Sequence, residues 1–599
     1  MSMIRNKYLA LVGAGLLFTA VSGSDGYEPR PVEQVSLDFV FSKTDSLGRN
    51  AVGFLNNIYA GLQNGHNRVG NDYLDAASDD AISIAVSDPD VYKLVMGRYT
   101  ASNLVKSDIR WNEYYSGIRK ANILVNNIDV VPFMLTYKNA KGEIKPLNVS
   151  MKAEARFLRA SFYFELVKRY GGVPLMGDEV HVLGDDMEIP RNTFAQCIQY
   201  IVDELDVIKD DLRTNPMADF EQYAHVPTRE TCLAMKARVL LYAASPLFNE
   251  RPIESGNELI GYASYDKERW NKAARAAEAF INEYGPKGNG AYGLTGDPTV
   301  GDGKSTQDFR DIFLGFYNKG NNPEVIFYRP GGENKSIETN NGPLGFSGSN
   351  LGKGCTLPTQ NLVDAFPMKD GMFSDKGSKY KLNQSNPYEN RDPRLDYTVL
   401  HHGSPWLGNI LDTSMGGANN PSGAAEYTRT SYYMCKFMGK FGSASEYSNK
   451  IHLWVMYRYA EVLLNYAEAE NEYLGSPSQS VYDAIIALRA RAGIEAGEKR
   501  LYGLKENMTQ KEMREVIQNE RRIEMAFEEQ RYWDIRRWRI AEKIFEKPLT
   551  GYEIRTSGGS TTFNDVDVLK TTFDVKRYFY PIPYTEVLKN ENMIQNPKW

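Results

Sequence analysis

RYAEVLLNYAEAENEYLG, residues 458–475, carries a clear helical period. Tyr459, Val462, Leu463, Tyr466 and Ala467 recur three and four residues apart, so one face of an α-helix gathers them, and Gly475 supplies the stop. Two more periodic runs follow within a short distance, VYDAIIALRARAGI (481–494) and ERRIEMAFEEQRYWDIRRW (520–538). Thr509 with Glu512 forms a capping-box signature ahead of the second. Short connections between helices of this length make neighbours of them, and Ala with Tyr at the contacts suggests stacked helix pairs.

The same character appears towards the N-terminus. Phe54, Leu55, Ile58 and Leu62 share a face, as do Tyr114, Ile118, Ala121 and Val125 within WNEYYSGIRKANILVNNI. MKAEARFLRASFYFELVKRYGG closes on Gly171 and Gly172, with Pro174 just beyond. Further helices are expected at 194–213, 229–245 and 268–283, and WNKAARAAEAFINEYG from Trp270 has the flavour of a TPR unit. From 284 to about 447 the chain turns rich in Gly, Asn, Ser and Pro, with strand-like pieces such as Val325–Tyr328. The expected fold is mainly α: a TPR-like scaffold of helical pairs over about 47–283 and 448–599. A loop-rich insert over about 284–447, containing short β-strands, interrupts it.

Composition narrows the function. A net charge of −6 on 599 residues argues against a nucleic-acid binder, which would need a basic face. Cys197, Cys232, Cys355 and Cys435 are scattered, without metal-ligand spacing, and read as buried thiols. Arg5 and Lys7 precede an apolar run from Tyr8 to Val21 that is too short to span a membrane and suits a signal peptide, assigned to residues 1–23. Val21-Ser22-Gly23-Ser24 resembles a lipobox in which Ser24 stands where the lipid-bearing cysteine belongs. Serine has no thiol for a thioether, so the chain as written carries no anchor there.

Catalytic patterns fail on inspection. Gly288, Gly290 and Gly293 match a dinucleotide-binding spacing but follow a helix, not a strand. Gly301-Asp-Gly303-Lys304-Ser305 ends like a P-loop, yet Pro298 stands where its first glycine should be. His401 and His402 are adjacent, which on a strand turns them to opposite faces. Gly345-Phe-Ser347-Gly-Ser349 lacks the closing glycine of a nucleophile elbow. Asp79, Asp80, Asp302 and Asp308 read as solvated loop acids, although a glycoside hydrolase needs only two well-separated carboxylates. The run Arg531–Arg539, laced with Tyr532, Trp533 and Trp538, sits among acids and reads as salt bridges and stacking. No metal, cofactor or catalytic residue is assigned.

Several long motifs now stand in one order: EARFLRASFYFELVKRYGGVPLM (154–176), NLVDAFPMKDG (361–371), RDPRL (391–395), the 458–475 and 520–538 runs, and the terminal YPIPYTEVLKNENMIQNP. Together they resemble the SusD/RagB family over almost the whole mature chain. The resemblance implies four TPR-like helix pairs and a variable loop face. It further implies a non-catalytic surface lipoprotein of the outer membrane that captures oligosaccharides and passes them to a SusC-like TonB-dependent transporter. A peptide-capturing, RagB-like lid is the alternative, and a glycoside hydrolase a more distant one. Ser24 departs from the family pattern.

Sugar rings pack apolar faces on aromatics and need polar partners for their hydroxyls. Two loop regions hold that mixture. The first contributes Tyr73, Asp79, Asp80, Tyr92, Arg98, Tyr99 and Asn103 as ligand-binding candidates, and the second Tyr292, Tyr317, Asn334, Phe346 and Trp406.

Overall fold

Helix follows helix in a continuous stack. In the computed structural model, which describes residues 36–599 apart from 88, 216–224, 297–310, 315–321 and 422–426, α1 (Arg49–Tyr59) leads into α2 (Trp111–Asn127) and α3 (Leu147–Tyr170). Next come α4 (Phe194–Ile208), α5 (Arg229–Ala244) and α6 (Glu268–Tyr284). Then follow α7 (Tyr459–Leu474), α8 (Gln479–Arg491) and α9 (Gln510–Glu524). From α2 to α8 each helix packs on its successor, and α7 also meets α9. The signal peptide and Ser24 lie outside the described residues, as do Asp302, Asp308 and Tyr317.

Local chemistry starts and stops these helices where the sequence marks them. Thr509 and Glu512 form the expected reciprocal cap on α9, and Thr193 with Gln196 does the same for α4. Gly475 ends α7 in the left-handed conformation that glycine adopts without a steric penalty. Helix α6 buries Trp270, Ala273, Ala274, Ala277 and Phe280, and its alanines let it lie close against α5 and α7.

Helices α6 and α7 are neighbours in space although the insert separates them in sequence, so the insert leaves and returns at one place. Its strands are short two-stranded ladders. Here β1 is Ala81–Ser83, β2 Val325–Arg329, β3 Thr356–Pro358 and β4 Trp454–Arg458. β2 pairs antiparallel with β4, which runs straight into α7, and β1 pairs with β3. A longer hairpin, β5 (Leu549–Ser557) with β6 (Ser560–Leu569), projects from the C-terminal part that the sequence reading treated as scaffold. Insert and scaffold share one hydrophobic core.

A buried ionic lattice fastens the insert to the helices. Arg458 donates to Glu324 at 2.6 Å, to Glu524 at 2.7 Å and to Glu528 at 2.8 Å. Arg491 donates to Glu324 at 2.6 Å and also pairs with Glu524. Arg394 reaches Asp392 and Glu520, both at 2.7 Å, and Glu524 at 3.0 Å; Lys436 reaches Glu528 at 2.7 Å. All of these side chains are buried. Burial alone would raise the Glu524 carboxyl, but Arg491, Arg458 and Arg394 hold it well below the usual range. Glu324, Asp392, Arg394 and Lys436 belong to the insert, and the rest to the scaffold, so removing a single partner would strand a charge in the core.

The run 531–539 is likewise structural, but it lies inside the protein. Arg537 donates to Glu468 at 2.8 Å, Trp538 Nε1 to Glu468 at 2.7 Å, and the Arg536 guanidinium covers the Tyr532 ring at 3.5 Å. Among the described residues no helix is long and apolar enough to cross a membrane.

Candidate functional site

The two candidate loop regions do meet. β1–β3 pairing places Ala81 opposite Pro358 and Ser83 opposite Thr356. Thr356 Oγ1 accepts from Tyr73 N at 3.0 Å and donates to Asp72 at 3.2 Å. Arg429, from the far part of the insert, donates to the Ser83 carbonyl at 2.6 Å.

Most of the individual candidates, however, are built into the joint beneath that meeting point. Tyr73 is fully buried; its ring stacks on Phe437 at 5.6 Å and its hydroxyl meets His66 Nδ1 at 2.8 Å. Asp79 and Asp80 are buried as well, which corrects their reading as solvated acids. Arg531 grips Asp79 with two bonds of 2.8 Å, and Arg522 Nε reaches Asp80 at 2.7 Å. Burial works against ionisation at both. At Asp79 the two guanidinium groups win and hold the carboxyl far below its ordinary value, while at Asp80 burial and the Asp79 charge push it up. Tyr92, Tyr99, Tyr292 and Trp406 are core residues too. Tyr99 packs on Tyr580 at 5.7 Å, Tyr292 on Phe280 at 5.5 Å, and Trp406 on Phe441 at 6.0 Å. An aromatic ring that fills a joint has no face left for a sugar.

Arg98 and Asn103 are exposed, but on the side of the C-terminal segment, where Tyr584 N donates to Ala101 O at 2.9 Å. Tyr317 lies outside the described residues. Asn334 and Phe346 remain at the surface of the insert, Asn334 exposed and Phe346 half-buried.

Around Phe346 a face of loops assembles. Asn419 Nδ2 donates to Leu344 O at 2.6 Å, and its Oδ1 accepts from Asp412 N at 2.9 Å. Gly345 takes φ +90°, and a β-carbon there would sit 2.1 Å from Ala418 O, so the two loops touch backbone to backbone. Met415 N donates to Ile554 O at 2.8 Å and Ser431 Oγ to Tyr552 O at 2.8 Å, which brings hairpin β5–β6 into the same face. Gly354 lies against Tyr433 and Ile84, and the 84–87 segment thereby borders it. Exposed on these loops are Val86, Leu351, Met415 and Tyr427, the last with 39% of its surface free. Asn409, Lys353 and the half-buried Asp412 and Arg429 supply polar groups. Tyr427 and Met415 were missed because nothing local distinguishes them from the buried aromatics and methionines nearby. Only the hairpin contact marks Met415. No cluster able to hold a metal ion occurs among the described residues.

The chain and its fold have known counterparts. The model for the SusD family matches residues 323–599, and one described as "starch-binding associating with outer membrane" matches residues 45–241. The chain belongs to the SusD family. SusD-like protein P2 of Formosa agariphila is 23% identical over 499 residues, covering 81% of this chain and 79% of its own. A SusD-like protein of Bacteroides fragilis superposes with a TM-score of 0.73 at 23% identity, covering 94% of this chain and 100% of that one. A SusD-like carbohydrate binding protein of the same species gives 0.67 at 24% identity, with 91% and 99% covered. A laminarin binding SusD-like protein gives 0.59 at 17%, with 92% and 99% covered. The fold of this SusD-family chain is therefore the SusD-like one, mainly helical with short two-stranded ladders.

Proposed function

We propose that this SusD-family protein captures glycan chains at the outer membrane on its loop face and hands them, uncleaved, to a partner TonB-dependent transporter. The observation that carries the reading is the face itself. Half-buried Phe346 and exposed Leu351 stand on the 342–354 loop, exposed Met415 and half-buried Asp412 on the 412–420 loop, and the two are braced against each other at Gly345, Ala418 and Asn419. Flat apolar groups next to polar ones suit the two-sided chemistry of a sugar ring. The starch-binding description of the matching N-terminal family model and the carbohydrate-binding relatives support the same ligand class. Capture without cleavage is consistent with Asp79 and Asp80, whose burial in the joint leaves neither placed to meet a substrate.

Affinity electrophoresis of the mature protein against a panel of soluble polysaccharides, followed by calorimetry, tests it. Retardation by one or two glycans, with no new reducing ends after long incubation, is the expected result. Silence across the panel together with binding of protease digests would transfer the face to peptides.

A further inference from the structure

The end of the helical stack where α1 begins carries an apolar patch that the loop face does not use. Leu47 leads into α1 and lines one groove with Leu135, while Met134 N donates to Ser46 O at 3.0 Å. Gly48, at φ +59°, lets Phe133 lie against it, since a β-carbon there would sit 2.1 Å from that ring. A short hairpin follows, Thr136–Lys138 paired antiparallel with Ile144–Pro146, and Leu147 N donates back to Leu135 O at 2.9 Å. Asn50 Nδ2 reaches Phe39 O at 3.3 Å, which ties the Leu37–Val40 turn to the same end of α1. Phe39, Leu47, Met134, Leu135 and Ile144 are thereby left in water, with 75% of Met134 and 67% of Ile144 exposed. Backbone bonds hold the segments that carry them, and apolar groups presented in this way mark an interaction surface.

The charges around the patch lean one way. Lys152 holds Asp129 at 2.6 Å, Lys145 holds Glu143 at 3.1 Å, and Asp45 accepts from Leu47 N at 3.2 Å and Gly48 N at 3.0 Å. Lys43, Arg49 and Lys138 are exposed and make no ion pair among the described residues, and Asp38 is the acid left likewise. Lys138 stands directly across the hairpin from Ile144, both on its outer face. Long cationic side chains around apolar ones suit the boundary where hydrocarbon meets anionic headgroups. The chain also reaches this face from Ser24, the residue in the lipobox cysteine's place, and the stretch from there to Ser36 spans at most about 40 Å.

We propose that this end of the stack rests on an anionic lipid surface, Met134 and Ile144 entering the interface while Lys43, Arg49 and Lys138 meet the headgroups. The inference rests on the reading that the protein works at the outer membrane. Serine at position 24 allows the face to be measured apart from any acyl anchor there.

Flotation of the mature protein with vesicles of phosphatidylglycerol and phosphatidylethanolamine, beside vesicles of phosphatidylcholine alone, tests it. Binding to the anionic vesicles that salt weakens is expected, with little to phosphatidylcholine. Met134→Asp with Ile144→Asp should lower the partition coefficient at least about tenfold. Lys43→Glu with Lys138→Glu should lower it at least about twentyfold, each lost cation counting for about fivefold. All four side chains are exposed, so melting temperature and retardation by glycans should stay as in the parent. Retardation by a glycan without flotation would overturn this inference and leave the glycan reading standing, whereas flotation without any glycan binding would sink that reading alone. Equal flotation by the Met134→Asp, Ile144→Asp variant would also overturn it. So would self-association in sedimentation, without vesicles, that the same pair abolishes, since the face would then belong to a second copy of the chain.

Discussion

Replacing Arg458 by Met tests the claim that buried charge, as well as hydrophobic packing, holds the insert on its scaffold. The substitution keeps most of the side-chain volume and removes the cation shared by Glu324, Glu524 and Glu528. Each carboxylate keeps another partner: Arg491 for Glu324, Arg491 and Arg394 for Glu524, and Lys436 for Glu528. The loss is therefore less than three full pairs. It is about that of leaving one buried charge uncompensated, roughly 3–5 kcal/mol. Urea unfolding followed by far-UV circular dichroism should show the midpoint lowered by about 1 M, given the steep denaturant dependence of so large a chain. Lys152→Ala serves as the control, because its bond to Asp129 at 2.6 Å lies at the surface and contributes about 0–1 kcal/mol. Adding Glu524→Gln to Arg458→Met should restore part of the stability by removing the surplus negative charge that the lattice then holds, a coupling that unrelated sites would not show. A midpoint for Arg458→Met no lower than that of Lys152→Ala would refute the reasoning.

Asp79→Asn should lower stability by about 3 kcal/mol while leaving glycan affinity unchanged; calorimetric loss of affinity with stability intact would return Asp79 to the ligand. Tyr427→Ala should weaken glycan binding about tenfold without altering the melting temperature, as expected for loss of one stacking surface. Gly345→Ala drives a β-carbon into the Ala418 carbonyl from a left-handed backbone, so glycan binding should fall in the same assay while helical circular dichroism persists. His66 sets a pH dependence: burial, then the nearby His452, lowers its pKa to about 3 from an ordinary 6.5. The unfolded chain then binds the extra proton between those values, so the stabilisation is complete above about 6.5 and drains away as the pH falls towards 3. Urea midpoints measured from pH 7 to pH 4 should decline, and less so in His66→Phe.

The helices were legible because their signals are local. The 458–475 period, the Thr509 cap and the Gly475 stop all lie within a few residues of what they control. Hairpin β5–β6 was legible in principle as well: LTGYEIRTS and STTFNDVDVL alternate around Gly558 and Gly559, which adopt positive φ at the turn. Asp79 was not. Its arginine partner lies 452 residues away, and two adjacent aspartates look the same in sequence whether they face water or a guanidinium. Tyr73, Tyr99 and Trp406 failed for a related reason. A tyrosine or tryptophan in a Gly- and Asn-rich loop serves a joint as readily as a ligand, and only the neighbour across the joint tells which.

The burial of those candidates shows how the loop face is supported. A binding face of irregular loops has few backbone ladders to stiffen it, so its geometry must come from what lies beneath. Here the layer beneath uses the same residue types as the face: Tyr73 on Phe437, Trp406 on Phe441, Asp79 on Arg531. Packed against one another and paired across the insert–scaffold joint, these groups give the loops a fixed floor. Surface groups such as Tyr427 and Met415 can then differ without disturbing the frame, because none of the buried bonds runs through their side chains. If this division holds, exchanging Tyr427, Met415 and Leu351 together should change which glycan binds and leave the melting temperature where it was. A large loss of stability in that triple variant would show that face and frame are not separable.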